Sequence, residues 1–314
     1  MKIFVAGAAG AIGTPLVAQL VARGHEVVGT TRKPDRTAAL RRLGAEPVIM
    51  DALDPDSVAD AVARAEPEVV VHQLTALGGP ASFRNAKRMV AATNRLRTEG
   101  TDHLLAAARA AGVRRFVAQS NGAWMRRAGG PVADESGLLE PHPPKGAEPL
   151  VGALRHLEDA VTGIDWADGI AIRYGGFYGP GTDFSADPDA TIAKLIRKRR
   201  VPVVGGGTGV WSVVHVDDAA TATVAIIERG RPGIYHVGDD EPAPVRELFP
   251  ALARALGAKP PRRVPAWLVR PLAGASAVDM MTRSRGISSE KIKKELGWAP
   301  RYASWRTGFV EGMS

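Results

Sequence analysis

The residues best suited to chemistry lie at the start of the chain. Gly7-Ala8-Ala9-Gly10-Ala11-Ile12-Gly13 follows a short apolar run, Ile3-Phe4-Val5-Ala6. It leads into residues 12–22, where Ile12, Leu16 and Leu20 recur at helical spacing. Glycine permits a tight turn and close backbone approach, and a helix N-terminus adds partial positive charge. A strand, a glycine turn and a helix in this order therefore suit a dinucleotide pyrophosphate. The candidate contacts are Gly7, Ala9, Gly10, Ala11, Ile12 and Gly13. The second apolar run ends in Thr30-Thr31-Arg32-Lys33, with no carboxylate before Asp35. A site for NAD usually places a carboxylate there to accept from the ribose 2′-hydroxyl. Thr31, Arg32 and Arg36 instead suit a 2′-phosphate, which the forked donors of arginine match, so NADP is expected over NAD. Asp51-Ala52-Leu53 follows the third apolar run. Asp51 is placed there to accept from an adenine amino group, and the adjacent Asp54 reads as a helix cap.

Other chemistries find little support. The chain has no cysteine, which excludes disulfides, thiolate metal sites and cysteine nucleophiles. His72, His215 and His236 are too dispersed to imply a metal. Asp217-Asp218 precedes a helical segment and reads as capping rather than as a catalytic carboxylate pair.

Holding these residues requires an alternation of strands and helices, and the pattern supplies it. Apolar runs at 3–6, 26–29, 47–50, 68–71 and 115–118 read as strands. Residues 12–22, 37–43, 54–63 and 95–111 read as helices. Five strands separated by helices predict an α/β fold, a doubly wound parallel sheet with the strand C-termini along one ligand-binding edge. Two later strands, at 170–173 and 234–237, alternate with Gly/Pro-rich loops and shorter helices. They predict a dinucleotide-binding domain from 1–174 and 211–238. A smaller α/β substrate lobe is expected from 175–210 and 239–314.

With 314 residues, one large or two modest domains are expected. No run of about 18 apolar residues exists, so no membrane span is predicted. Met1-Lys2-Ile3-Phe4-Val5 runs directly into the glycine motif without a signal-peptide layout, and a cytoplasmic protein is expected. The net charge is +8, from 41 Lys+Arg against 33 Asp+Glu. Most basic residues are scattered in pairs. The one dense cluster, Lys194 to Arg200, reads as a helix end with no interleaved aromatics, so no nucleic-acid partner is expected.

Together the motifs resemble the extended branch of the short-chain dehydrogenase/reductase superfamily, of epimerase/dehydratase type. The resemblance rests on Gly7, Gly10 and Gly13 and on Val70-Val71-His72-Gln73-Leu74-Thr75. It also rests on Gly100-Thr101, Arg173-Tyr174-Gly175-Gly176-Phe177-Tyr178-Gly179-Pro180, His215-Val216-Asp217-Asp218-Ala219 and Leu296-Gly297-Trp298-Ala299-Pro300. It covers nearly the whole chain in order. It implies a Rossmann sheet, an NAD(P) cofactor along Leu74, Thr75, Ala76, Gln119, Tyr174 and Gly176, and a homodimer.

The family's chemistry uses a tyrosine, a lysine four residues later on the same helix face, and a serine or threonine after the fifth strand. The lysine and the cofactor's charge lower the tyrosine pKa so that it exchanges a proton with substrate. Aligned on Glu158, Leu150 occupies the tyrosine position and Leu154 the lysine position. The four tyrosines, Tyr174, Tyr178, Tyr235 and Tyr302, all lack a lysine four residues on. The cofactor cradle is thus present without the usual proton relay. Candidates for the missing chemistry are Ser120 and Asn121, polarising a carbonyl, and Tyr178 as a proton donor; His156 should face away, and Glu148 reads as a favourable helix-start charge. Trp124, Phe177 and Trp211 are candidate pocket walls. Gly176 and Trp211 replace the asparagine and the basic residue that often meet nucleotide sugars, so a small, non-nucleotide substrate is expected. The leading reading is an atypical NADP-dependent oxidoreductase acting on a carbonyl, an alcohol or a related group. A catalytically degenerate NADP(H) sensor and a sugar epimerase or dehydratase with relocated acid and base remain as alternatives.

Overall fold

The computed structural model describes residues 1–77 and 83–313. The first half alternates as the apolar runs predict. β1 (Lys2–Ala6), α1 (Gly13–Ala22), β2 (Glu26–Thr31), α2 (Thr37–Arg42), β3 (Glu46–Ile49), α3 (Pro55–Ala65) and β4 (Val69–His72) come first. Then follow α4 (Phe83–Arg97), α5 (Glu99–Ala110), β5 (Arg115–Asn121), the two-residue β6 (Val132–Ala133), α6 (Glu148–Thr162) and β7 (Asp168–Tyr174). One expectation changes here. The single helix read at 95–111 is two helices, because Thr98 (φ −98°, ψ −85°) leaves the helical region and turns the chain between α4 and α5.

The rest of the chain is built from shorter pieces: β8 (Gly176–Tyr178), α7 (Thr191–Arg197), β9 (Val203–Val204), β10 (Val210–Trp211), β11 (Val213–His215), α8 (Val216–Arg229) and β12 (Gly233–Val237). After these come β13 (Ala243–Pro244), α9 (Val245–Ala255), β14 (Arg263–Val264), α10 (Ala266–Thr282), β15 (Gly286–Ile287), α11 (Glu290–Leu296) and α12 (Trp305–Glu311).

The central sheet has seven parallel strands in the order β12-β7-β5-β4-β1-β2-β3. The order reverses between β1 and β4, where an open α/β sheet forms its ligand crevice. Strands covered on both faces read as continuous apolar runs. One face packs Val5, Val117, Ile172 and Tyr174 against α1 and α8. The other packs Phe4, Val70, Phe116 and Ala118 against α3, α5 and the end of α6. A separate core gathers Tyr178, Ile196, Val203, Phe249, Trp305 and Phe309 from the later segments. Asp54 caps α3 as expected, accepting from the Asp56 and Ser57 backbone N–H groups at 3.1 and 3.4 Å. Asp217-Asp218 does not cap α8. His215 Nδ1 accepts from the Asp217 N–H instead, and buried Asp218 accepts from the backbone N–H groups of Arg301 and Tyr302. Among the described residues no helix is long and apolar enough to cross a membrane, and no cluster of potential ligands could hold a metal ion.

Candidate functional site

A cleft of about 650 Å³ opens along the C-terminal edge of the sheet. Its floor is the β1–α1 turn. Gly7 has φ +93°, and a Cβ there would come within 2.8 Å of the Gln73 carbonyl oxygen. Its N–H donates to Thr30 Oγ1 at 3.2 Å, which ties the turn to β2. Ala9, Gly10, Ala11 and Ile12 line the cleft. No side chain caps α1 and its first turn holds no acidic residue. The Thr14 N–H donates to the Gly10 carbonyl at 3.0 Å and Pro15 has no N–H, so the donors this end offers a ligand come from the glycine turn and the start of the helix before Thr14. Gly13 does not line the cleft. A Cβ at Gly13 would lie 2.2 Å from the Gly7 carbonyl oxygen, so this glycine lets the helix pack onto the turn.

At the end of β2, Thr31, Arg32, Lys33 and Arg36 line the cleft. Thr31 is buried, and its hydroxyl accepts from the Lys33 N–H at 3.1 Å. The three cations are exposed, and none forms an ion pair among the described residues. Met50 and Ala52 continue the wall beyond β3, but Asp51 and Leu53 do not line it. Asp51 Oδ1 accepts from the Leu53 N–H at 3.1 Å, so one oxygen of the expected adenine contact is engaged in its own turn.

Past β4, Gln73, Leu74 and Thr75 line the cleft, and Ala76 does not. Two further lining residues come from the end of α4, Leu96 and Arg97. Arg97 is 5% exposed, and burial lowers its guanidinium to about 10. His72 lies beneath, donating through Nε2 to the Leu96 carbonyl and accepting at Nδ1 from the Leu74 N–H. Burial drives its pKa down to about 4, so it is neutral.

Gln119, Ser120, Asn121, Tyr174, Gly176 and Phe177 line the opposite end. Ser120 points through the sheet to α6. Its hydroxyl donates to Glu158 Oε1 at 2.5 Å, and Arg173 Nε and Nη2 grip the same carboxylate at 2.8 and 2.7 Å. Asn121 Oδ1 accepts from the Ala123 N–H at 2.8 Å, leaving its amide N–H groups for the cleft. Tyr174 hydrogen-bonds Thr223 Oγ1 at 2.6 Å, and burial pushes its phenol up to about 12. The side-chain amide oxygens of Gln73 and Gln119 are buried without hydrogen-bond partners among the described residues. Asp183 is the one carboxylic acid lining the cleft among the described residues, and burial raises its pKa.

Other expected site residues lie elsewhere. Tyr178 is 1% exposed and stacks edge-on against His215 and Phe309 in the smaller core. Its hydroxyl has no partner among the described residues, and burial raises its pKa. It does not line the cleft, because the alternation along β8 sends Phe177 towards the cleft and Tyr178 away from it. Trp211 packs on Phe249 and donates from Nε1 to the Met280 carbonyl at 2.8 Å. Trp124 borders a small depression with Arg127, Glu140 and Met280 rather than the main cleft. Leu154 is fully buried with Met125, Ala133, Val151 and Ile287, and Leu150 packs on the same cluster. His156 faces outward to Asp102, and Glu148 opens α6, as expected.

The donors and gaps of the cleft fit a dinucleotide. It has an uncapped helix N-terminus beside a glycine turn, exposed cations at the end of β2, and side-chain amide oxygens without partners among the described residues. Arg97, Gln73, Lys33 and Asp183 were not anticipated. A signal for Arg97 exists, since Thr93, Arg97, Thr101 and Leu104 repeat at helical spacing and are all buried.

Comparison with known proteins agrees with this geometry. The model of the NAD dependent epimerase/dehydratase family matches residues 3–238. The chain is 45% identical to a 3-diazoavenalumate denitrifying reductase of a Streptomyces species, over 98% of this chain and 99% of that one. It is 30% identical to the 2-alkyl-3-oxoalkanoate reductase of Stenotrophomonas maltophilia, over 82% of this chain and 76% of that one. The solved UDP-glucose 4-epimerase of Thermus thermophilus, in complex with NAD, aligns over 100% of this chain and 98% of its own. The TM-score is 0.75 and the identity 26%.

Proposed function

The chain belongs to the NAD dependent epimerase/dehydratase family, and from that membership we propose that it is an NADP(H)-dependent reductase acting on a small, non-nucleotide acceptor. We propose further that the acceptor is an arenediazonium ion that loses dinitrogen. The observation that carries this reading is the apolar packing of Leu150 and Leu154, the residues that the sequence reading aligns with the family's proton relay, with Ser120 committed to Glu158.

Reduction of a carbonyl needs a hydride and a proton, because the oxygen becomes an alkoxide. An arenediazonium ion needs only the hydride. The carbon–nitrogen bond breaks with its electron pair leaving on dinitrogen, and the hydride pair forms the new carbon–hydrogen bond. One nicotinamide is oxidised and no proton is taken up. The dinucleotide, when bound, supplies that hydride. The chain's own residues position the reactants and exclude water. The N-terminus of α1 and the glycine turn would hold the pyrophosphate, Arg32 and Arg36 a 2′-phosphate, and Gln119 the nicotinamide end. Phe177 would wall the acceptor, and the Asn121 amide would donate to a polar substituent on it. The relative named as a denitrifying reductase of a diazo compound, similar over essentially both whole chains, supports the substrate class.

The test offers the protein NADPH with arenediazonium salts and, separately, with β-keto acids. The expected result is saturable NADPH oxidation, above the rate with heat-denatured protein, with one dinitrogen released per NADPH. Deuterium at the transferred position of the nicotinamide should appear on the carbon that carried nitrogen, and deuterium oxide should label nothing there. Turnover confined to the keto acids overturns the substrate class. Tight NADPH binding without any turnover favours the sensor.

A further inference from the structure

The least explained charge in the molecule is Arg97. It ends α4, is 5% exposed and lines the cleft. Its guanidinium makes no hydrogen bond or ion pair among the described residues, and burial is the only influence resolved on it. Residues 78–82, Gly-Gly-Pro-Ala-Ser, contain no carboxylate that could pair with it. The nearby His72 is neutral at ordinary pH. A buried, unpaired cation is unfavourable, and proteins ordinarily pair one or leave it out. Arg97 therefore looks like half of an ion pair whose other half arrives with a ligand.

Its position indicates which ligand. Leu96, the preceding residue, packs with Met50 and Ala52 beyond β3, and Arg97 shares the cleft with Arg32, Lys33 and Arg36. Among the described residues, four cations stand against the single carboxyl of Asp183 in the cleft wall. Such a field favours a polyanion, and the fork of an arginine matches phosphate oxygens.

We propose that Arg97 is a pre-installed counter-charge for a phosphate group of an adenine dinucleotide, and that the ligand-free protein is destabilised by carrying it. This rests on the reading that the cleft takes such a dinucleotide. It adds a phosphate ligand from α4 to those of the glycine turn.

The test compares the whole protein with Arg97→Met, which keeps length and flexibility without charge, and with Arg97→Lys. The expected signature has two parts. Without ligand, Arg97→Met melts at a higher temperature than wild type. With ligand, it binds roughly 10- to 100-fold more weakly, and Arg97→Lys falls between. A loss shared by NADPH and NADH assigns the pyrophosphate; a loss confined to NADPH assigns the 2′-phosphate. Arg97→Met that melts lower than wild type and binds both cofactors unchanged overturns the proposal. If wild type binds neither dinucleotide, the cofactor reading fails. Arg97 is then judged with inorganic pyrophosphate alone: a thermal shift present in wild type and absent in Arg97→Met supports the phosphate site, and no shift overturns it.

Discussion

The Ser120 hydroxyl donates to the Glu158 carboxylate at 2.5 Å, and Glu158 is in turn held by two nitrogens of Arg173. The family's serine is expected at Asn121, one residue on, and Ser120 faces the opposite side of the strand. Here it completes the coordination of a buried anion that is 4% exposed. Ser120→Ala should therefore leave turnover within about threefold of wild type. It should cost about 1–3 kcal/mol of stability, because a buried acceptor loses a charge-assisted partner. Steady-state rates and denaturant unfolding on the same preparation check both halves. A loss of turnover beyond a hundredfold with unchanged stability would show that the hydroxyl serves the substrate instead.

Leu154 tests how far the usual chemistry has been dismantled. It is fully buried among Met125, Ala133, Ala147, Val151 and Ile287. Leu154→Lys places an ammonium at the position the sequence alignment assigns to the family's lysine, but among buried apolar side chains. The variant should lose about 3 kcal/mol or more at neutral pH, with part of the loss recovered at high pH as the lysine is deprotonated. Thermal melts between pH 7 and 10 read this directly. A variant as stable as wild type would mean that the pocket still accepts the old relay.

Much of this arrangement is legible in the chain itself, and the exceptions have physical reasons. The strands of the central sheet stand out because parallel strands covered on both faces are apolar runs closed by glycine or a cap, as at Val69–His72 and Arg115–Asn121. The glycine turn is legible because Gly7 and Gly13 face contacts no side chain tolerates. The break at Thr98 is hidden, since no proline marks it and the apolar spacing continues across it. The direction of Tyr178 depends on which way a three-residue strand, β8, presents its alternation, and composition does not encode that. Ser120 was readable in principle: Phe116, Ala118 and Ser120 alternate onto the α6 face of the sheet, away from Gln119 and Asn121.

Cofactor preference should reside at the end of β2. Arg32 and Arg36 line the cleft without ion-pair partners among the described residues, and no carboxylate lines that end. Arg32→Ala is expected to weaken NADPH binding by about 10- to 100-fold and to change NADH binding by less than about threefold. Fluorescence titrations at two salt concentrations check it, and the NADPH affinity of wild type should be the more salt-sensitive. Equal losses for both cofactors would place the 2′-phosphate elsewhere.

Asp183 separates the two acceptor chemistries. It is the carboxylic acid that lines the cleft among the described residues, and burial raises its pKa towards the protonated form. If hydride transfer to a diazonium acceptor needs no proton, Asp183→Asn should leave that rate within about threefold. Any carbonyl reduction should fall by about a hundredfold, the usual contribution of a positioned acid. Parallel assays on the two acceptors compare the losses. A hundredfold loss on the diazonium acceptor would make Asp183 part of its reduction.

Asp239 gives the fold a pH dependence of known sign. It is 2% exposed, Oδ1 accepts from the Glu241 N–H at 3.2 Å, and Oδ2 has no hydrogen-bond partner among the described residues. Burial pushes its pKa up to about 7, far above an unfolded aspartate. Between about pH 4 and 7 the folded chain holds a proton that the unfolded chain has released, so this group's contribution is full below about pH 4 and is lost as pH rises through 7. His72 and His236, lowered by burial to about 4 and about 3, act in the opposite direction. Their contribution is full above about 6.5 and is lost as the solution is acidified. Asp239→Asn removes the first effect and leaves the second. Its advantage over wild type should be near zero at pH 4, grow to the order of 4 kcal/mol at pH 8, and level off above that. Denaturant unfolding of both proteins from pH 4 to 8 measures the difference. A constant offset across that range would mean that Asp239 is ionised throughout and finds a partner in solution.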